Sequence, residues 1–302
     1  MNQSEYKTII YGRDDEEPRI AYITLNRPDK SNSISIGPSE MTGELMDAIS
    51  KIDTDDGIKV VILKAAGKNF SAGFDLSMVY RVYGGGPGVR PHQNVRLRVD
   101  EDHVIGLPKA IFNCKKVTIA QVHGWCIEAG LWLAELCDIT IADEAAKFAH
   151  RGQRLAFGGV PIPFELMSGH TKKHIELLIT GRSISGQQAE EMGMITKAVP
   201  ADILEEEVYN LARAICLIPL DAIAFGKMSR KHTYDGLGVN SWWNNITYHT
   251  LSTNITYRDD EKESLFLRDR EKVGETEAFH KLNELFENAL NKTTHFRSYF
   301  GK

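Results

Sequence analysis

The sequence predicts an α/β protein with a helical C-terminal region. Three observations predict it. Continuous apolar runs recur as KVVILKAA (59–66), VTIAQVHG (117–124) and CDITIADE (137–144), as expected of parallel strands buried on both faces. Stretches with apolar residues at helical spacing lie between them, and strand–helix–strand alternation implies parallel pairing. Beyond about Ala201 no good strand occurs, and the chain becomes helical and charged through to EAFHKLNELFENALN.

The elements follow in order. RIAYITLN (19–26) alternates and is rich in β-branched and aromatic residues, so it reads as a strand. NRPDKSNS is a turn around Pro28. In PSEMTGELMDAISKI the residues Met41, Leu45, Ile49 and Ile52 share one helical face, with Ser39 as the expected N-cap. YGGGPGVRP (83–91) holds too much glycine and proline for a helix or an interior strand. It reads as a surface loop or as a mobile cover over a site. Helix resumes from His92 to Phe112, and SGQQAEEMG (185–193) has a serine cap and a glycine stop. Residues 1–200 are expected to form the core, and 201–302 a helical region that packs on it or on another subunit. There is no internal repeat of fixed period.

Composition narrows the function classes. The 302 residues are 42% hydrophobic with a net charge of −5. That balance gives no basic face for nucleic acid or an anionic membrane, so neither is expected as a partner. Lys172-Lys173-His174 reads as a solvated helix end. Cys114, Cys126, Cys137 and Cys216 form no CxxC pair and no zinc spacing, so they are expected to be reduced and structural, with no metal. The N-terminal stretch lacks an apolar signal core, and no run long enough to span a bilayer occurs. A cytoplasmic location is expected, with the sequons at Asn245, Asn254 and Asn291 as chance matches.

The chemistry concentrates in HGWCIEAGLWLAELCD (123–138), where Glu128 sits at a strand-to-helix turn. Taken with LNRPDKSNSI (25–34), KNFSAGFDL (68–76), LCDITIADEAAKF (136–148) and LLITGRSISGQQAEEMGMITKAV (177–199), this stretch resembles the crotonase, or enoyl-CoA hydratase/isomerase, superfamily. Each motif alone is weak, but their shared order and spacing are specific. The resemblance implies a crotonase-type spiral of ββα units, a helical C-terminal region for oligomerisation, and a homo-trimer or dimer of trimers. It implies an acyl-CoA thioester as substrate and no separate cofactor.

It also implies two backbone N–H groups, of Phe74 and Ala129, forming an oxyanion hole for the thioester oxygen. Such preorganised donors stabilise the developing enolate without moving. Arg27 and Lys30 are implied to meet CoA phosphates. Ala72, Asp75 and Leu76 fall where the family holds the adenine and the pantetheine arm.

The chain departs from the family at its two catalytic glutamates. The first slot aligns with Trp132 and the second falls near Gly152, in a segment rearranged up to Pro161. Trp132 cannot transfer protons, and reads as core or as the wall of a pocket for a flat or bulky acyl group. Glu128 occupies the first glycine slot of the usual GGG, next to Ala129. Poor solvation there would raise its pKa into a useful range. Alternatively it turns away onto a basic residue or backbone N–H groups. His150 is the second acid/base candidate, with Arg151 and Asp75 behind it. His123 reads as a supporting residue and Asp138 as a buried structural carboxylate. The leading expectation is hydration of an α,β-unsaturated, cyclic or bulky acyl-CoA. Hydrolysis of a thioester or of a ring C–C bond in a β-oxoacyl-CoA, double-bond isomerisation, and non-catalytic acyl-CoA binding stay open.

Overall fold

The computed structural model describes residues 6–78, 92–155, 163–167, 169–252 and 266–293. The loop expected at 83–91, the rearranged stretch up to Pro161 and the sequon at Asn254 lie outside or largely outside these residues.

A six-stranded sheet carries the molecule, in the order β1-β2-β3-β4-β6-β9. Its strands are β1 (Ile9–Arg13), β2 (Ile20–Leu25), β3 (Val60–Ala65), β4 (Val117–Val122), β6 (Ile139–Asp143) and β9 (Lys197–Val199). Only the β1–β2 pair is antiparallel; the other four pairings are parallel. The three apolar runs are the interior strands β3, β4 and β6, as their doubly buried pattern requires. β1 was not legible as a strand, being a short edge element that pairs only with β2. A second, three-stranded sheet, in the order β5-β7-β8, joins β5 (Trp125–Ile127), β7 (Lys147–Ala149) and β8 (Ser183–Ser185).

Helix α1 (Met41–Thr54) buries Met41, Leu45, Ala48, Ile49 and Ile52. Its expected cap is corrected: Ser35, not Ser39, accepts from the Met41 N–H through Oγ at 3.0 Å. The chain folds back before the helix, so a serine six residues upstream reaches the orphan amide. The helical stretch from His92 is broken into α2 (Gln93–Val99), a π-turn (Asp100–Val104) and α3 (Gly106–Asn113). Next come α4 (Ala129–Glu135), α5 (Pro163–Met167), α6 (Thr171–Thr180) and α7 (Gly186–Glu191). Helix α7 begins with a capping box between Ser185 and Gln188. Lys172-Lys173-His174 opens α6, and its histidine is fully buried, not solvated.

After β9 every described element is a helix: α8 (Leu204–Ile215), α9 (Leu220–Gly236), α10 (Val239–Trp242), α11 (Ile246–Ser252), α12 (Phe266–Val273) and α13 (Glu275–Leu290), with a 3-10 turn at Trp243–Asn245. Helix α8 sets Leu204, Val208 and Ala212 against Ile20, Val60, Ile62, Ile119 and Ile141 on one face of the large sheet. The other face joins α1, α3 and α4 in the main core, which also takes in Trp242 and Trp243. Leu282 of α13 is buried within the chain beside Leu155, Phe266 and Ala278, and Phe279 packs on that cluster. Among the described residues no single helix is long and apolar enough to cross a membrane. The four cysteines are free and buried.

Candidate active site

Two segments lie side by side at the centre of the molecule. The Ser71 N–H donates to the Trp125 carbonyl at 2.9 Å, and the Ile127 N–H donates to the Ser71 carbonyl at 3.0 Å. Glycines permit this approach. A Cβ on Gly73, whose φ is +88°, would stand 3.2 Å from Glu128 Cβ, and one on Gly130 would stand 2.6 Å from Ser71 Cβ. The approach brings the Phe74 and Ala129 amides to neighbouring stretches of chain, and neither has an acceptor among the described residues. Buried amides are almost always paired. The amides of buried Ala129 and half-buried Phe74 can receive an oxygen from outside the chain.

Asn32 buttresses the first segment. It is fully buried with φ +52°. Its Nδ2 donates to the Ala66 carbonyl at 2.7 Å and the Asn69 carbonyl at 2.8 Å, and its Oδ1 accepts from the Arg27 N–H at 2.7 Å. An asparagine in the turn of LNRPDKSNSI was the available signal for this role, and it was missed.

Glu128 adopts φ 48° and ψ −114° as the residue before α4. That left-handed region is costly for a residue with a Cβ. The backbone is held there by its own N–H donating to the Ala149 carbonyl at 3.2 Å and by its carbonyl accepting from the Trp132 N–H at 2.9 Å. The side chain crosses to the residues after β7, where one carboxylate oxygen, Oε1, accepts from both the Arg151 and Gly152 N–H groups. Oε2 has no partner among the described residues, and the residue is only half-buried. A Cβ on Gly152 would stand 3.5 Å from each carboxylate oxygen. Glu128 therefore does turn onto backbone N–H groups, and in doing so keeps a second oxygen open.

His150, on the same segment, is 3% exposed, and its Nε2 lies 2.5 Å from Glu165 Oε1. Burial alone would lower its pKa. The Glu165 charge and hydrogen bond, with a smaller contribution from Glu128, reverse this and raise it to about 9. Glu165 of α5 was missed by sequence reasoning, as was Glu135 at the end of α4. Glu135 carried a signal, a lone acid inside the apolar run AGLWLAELC. Burial first, then Glu165, pushes the Glu135 carboxyl well above the ordinary range.

The residues expected at the CoA end lie nearby. Arg27 pairs with Asp75 at 2.8 Å and also donates to the Ser33 carbonyl at 2.6 Å, so its guanidinium is already engaged. Asp75 also accepts from Ser77 Oγ at 2.5 Å. Burial opposes its charge, yet the Ser77 and Arg27 bonds hold its pKa below the usual value. Lys30 stands 3.9 Å from Asp75 with its side chain 52% exposed, which leaves its ammonium accessible. Ala72 is exposed, and Leu76 packs against the Leu155–Phe266–Leu282 cluster.

Trp132 is buried between Phe74 and Trp242, with ring centroids 5.8 and 6.1 Å away in edge-on contacts. The indole N–H groups of Trp132 and Trp242 have no acceptor among the described residues. Arg151 lays its guanidinium over the Trp125 ring at 5.0 Å. His123 meets the Gly67 carbonyl at 2.9 Å, a supporting contact. Asp138 is not buried as expected. It bonds the Thr118 N–H and hydroxyl and pairs with Lys227 at 2.5 Å, which makes it structural. A cavity of about 640 Å³ opens at the far end of α4, lined by Glu135, Asp138, Lys227 and Tyr234. Its lining does not include Phe74 or Ala129.

The model of the enoyl-CoA hydratase/isomerase family matches residues 15–264. The chain belongs to that family. EchA13 of Mycobacterium tuberculosis, an enoyl-CoA hydratase by name, is 36% identical over 253 residues, 78% of this chain and 77% of that protein. The hydroxycinnamoyl-CoA hydratase-lyase of Pseudomonas fluorescens is 31% identical over 204 residues, 65% of this chain and 69% of its own. Among solved structures, an enoyl-CoA hydratase/isomerase from Xanthobacter autotrophicus Py2 superposes with a TM-score of 0.76 at 27% identity, covering 92% of this chain and 98% of that one. The architecture is thus the crotonase fold, and membership of this family supports an enzyme that transforms acyl-CoA thioesters.

Proposed function

We propose that this family member hydrates an α,β-unsaturated acyl-CoA, with Glu128 as the acid/base. The observation that carries the proposal is the reach of the Glu128 carboxylate to Gly152. Hydratases that the sequence resembles carry their second glutamate in the Gly152 slot. Here the carboxylate arrives from the opposite segment, anchored through Oε1 with Oε2 open. The thioester oxygen takes hydrogen bonds from the Phe74 and Ala129 N–H groups. Water then loses a proton to Glu128 as its oxygen bonds to Cβ of the substrate. The double-bond electron pair moves onto the thioester oxygen. The resulting enolate collapses by taking a proton at Cα, and Glu128 returns the one it received. The sum is one added water with every group restored.

Lys30, with Arg27, Ala72, Asp75 and Leu76 around it, is the proposed CoA end. The test is a screen of unsaturated, cyclic and β-oxo acyl-CoAs scored by product mass. An unsaturated substrate should gain one water and keep its thioester. Release of free CoA would assign thioester hydrolysis instead. Water gained only by a β-oxo ring would assign C–C cleavage. Unchanged mass across the panel would sink the hydratase reading.

The oligomer is proposed on the surface of the helical region. Leu217, Phe225, Leu237, Tyr248 and Leu285 are each more than half exposed, and burial of such side chains against a second copy is the proposed reason for assembly. Light scattering at micromolar concentration should give a mass of three or six chains, and a monomer would contradict it. The unpaired cysteines support the cytoplasmic reading.

A further inference from the structure

Behind the Glu128 carboxylate lies a group of four titratable side chains drawn from four elements. They are His150 after β7, Glu165 on α5, His174 on α6 and Glu135 on α4, and all are buried. Glu165 is the centre. Its Oε1 lies 2.5 Å from His150 Nε2 and 4.0 Å from His174 Nδ1, and its carboxyl faces that of Glu135. One peptide bond separates His150 from the Arg151 amide, which with Gly152 grips Glu128. A line of contacts therefore runs from Glu165 through His150 and two amides to the working carboxylate.

The charges in this group follow from elementary electrostatics. Two carboxylates buried together cannot both ionise. Glu135, sealed by burial and set against Glu165, keeps its proton. That leaves Glu165 as the anion to which His150 bonds. Burial holds His174 below its ordinary value, so it stays neutral at pH 7. One ion pair, His150 with Glu165, remains between two neutral groups.

We propose that Glu165 is a positioning residue of the reaction: by anchoring His150 as an imidazolium it fixes the two amides that hold Glu128 and sets a positive charge behind that carboxylate, while Glu135 carries the proton that lets Glu165 stay ionised. The inference rests on Glu128 being the acid/base. The titratable and charged groups facing His150 are Glu165, His174, Glu135 and Glu128, with Arg151 next in the chain. The sign of the pH dependence is fixed by His150. Its pKa is raised from 6.5 to about 9. The contribution of the pair to stability is therefore complete below the unfolded value and is lost as pH rises through about 9.

The test is a pH titration of the full-length, histidine-labelled protein by NMR, together with kcat and KM. In the native protein one imidazole should stay charged past about pH 8 and titrate near 9. In Glu165→Gln that imidazole should titrate below neutrality. Glu135→Gln mimics the neutral acid and should leave the imidazole titration unchanged. Glu165→Gln should lower kcat by roughly tenfold or more with KM little changed, the scale seen for partners that orient other catalytic groups. A merely structural Glu165 would raise KM and lower stability together with kcat instead of lowering kcat alone. A native protein with no imidazole titrating above about pH 8 would overturn the inference without any variant having to fold. A high-titrating imidazole that survives in Glu165→Gln would overturn it as well. The titration uses no substrate, so its failure is distinct from a negative acyl-CoA screen.

Discussion

Glu128→Gln will leave acyl-CoA affinity near the native value and cut turnover by about 10²-fold or more, the usual scale for a lost general acid or base. The expectation follows from how the carboxylate is held. Oε1 only accepts, from the Arg151 and Gly152 amides, and a glutamine carbonyl oxygen can accept the same two bonds. The amide nitrogen then replaces Oε2, which has no partner among the described residues. Shape, anchoring and the Phe74 and Ala129 amides survive; only the ability to take and return a proton is lost. The check is kcat and KM on the best substrate of the screen, beside calorimetric affinity for a non-reacting acyl-CoA. Near-normal turnover would make Glu128 a structural tie between β7 and α4, and the proton chemistry would have to pass to His150.

Gly124→Ala will cost about 3 kcal/mol of stability or more, and activity will fall with it. Gly124 has φ +60°, and a Cβ there would fall 2.0 Å from the Lys68 carbonyl oxygen and 2.9 Å from Asn69 Oδ1. The first contact is backbone, so no rotamer change relieves it. The chain at Lys68–Asn69 must retreat, and it leads directly into Ser71–Phe74. Thermal or denaturant unfolding would read the loss. A variant that unfolds like the native protein would show that the two segments are not held as tightly as described.

Much of this was legible in the sequence, for identifiable reasons. β3, β4 and β6 are apolar on both faces and announce themselves as parallel strands. Met41, Leu45, Ile49 and Ile52 mark the buried face of α1. Gly73, Gly124 and Gly130 point to a crowded turn because nothing larger fits. The elements that escaped are those whose reasons are tertiary. Ser35 caps α1 only because the chain doubles back. β1 is an edge strand defined by its pairing to β2. The buried histidine in Lys172-Lys173-His174 is concealed by two neighbouring lysines that do reach solvent. At the site, Glu128 and His150 stood out by position, but their supports did not. Glu165 lies fifteen residues beyond His150, outside any motif, and Glu135 stands one helix away from both. Partners joined by burial rather than by spacing leave no periodic trace in a chain.

The place of Trp242 and Trp243 in the main core has a consequence for how the protein is made. Both belong to the cluster built by α1, α3 and α4 around the large sheet, and they lie more than forty residues past β9, the last of the described strands. A nascent chain that has just released β9 from the ribosome therefore has all the described strands but lacks the two indole rings that complete the main core. The ring of Trp132 still lacks its neighbour, and the face of the sheet that α8 covers is open until Leu204–Ile215 follows. Synthesis proceeds at about 5–20 residues per second, so this unfinished surface is exposed for several seconds.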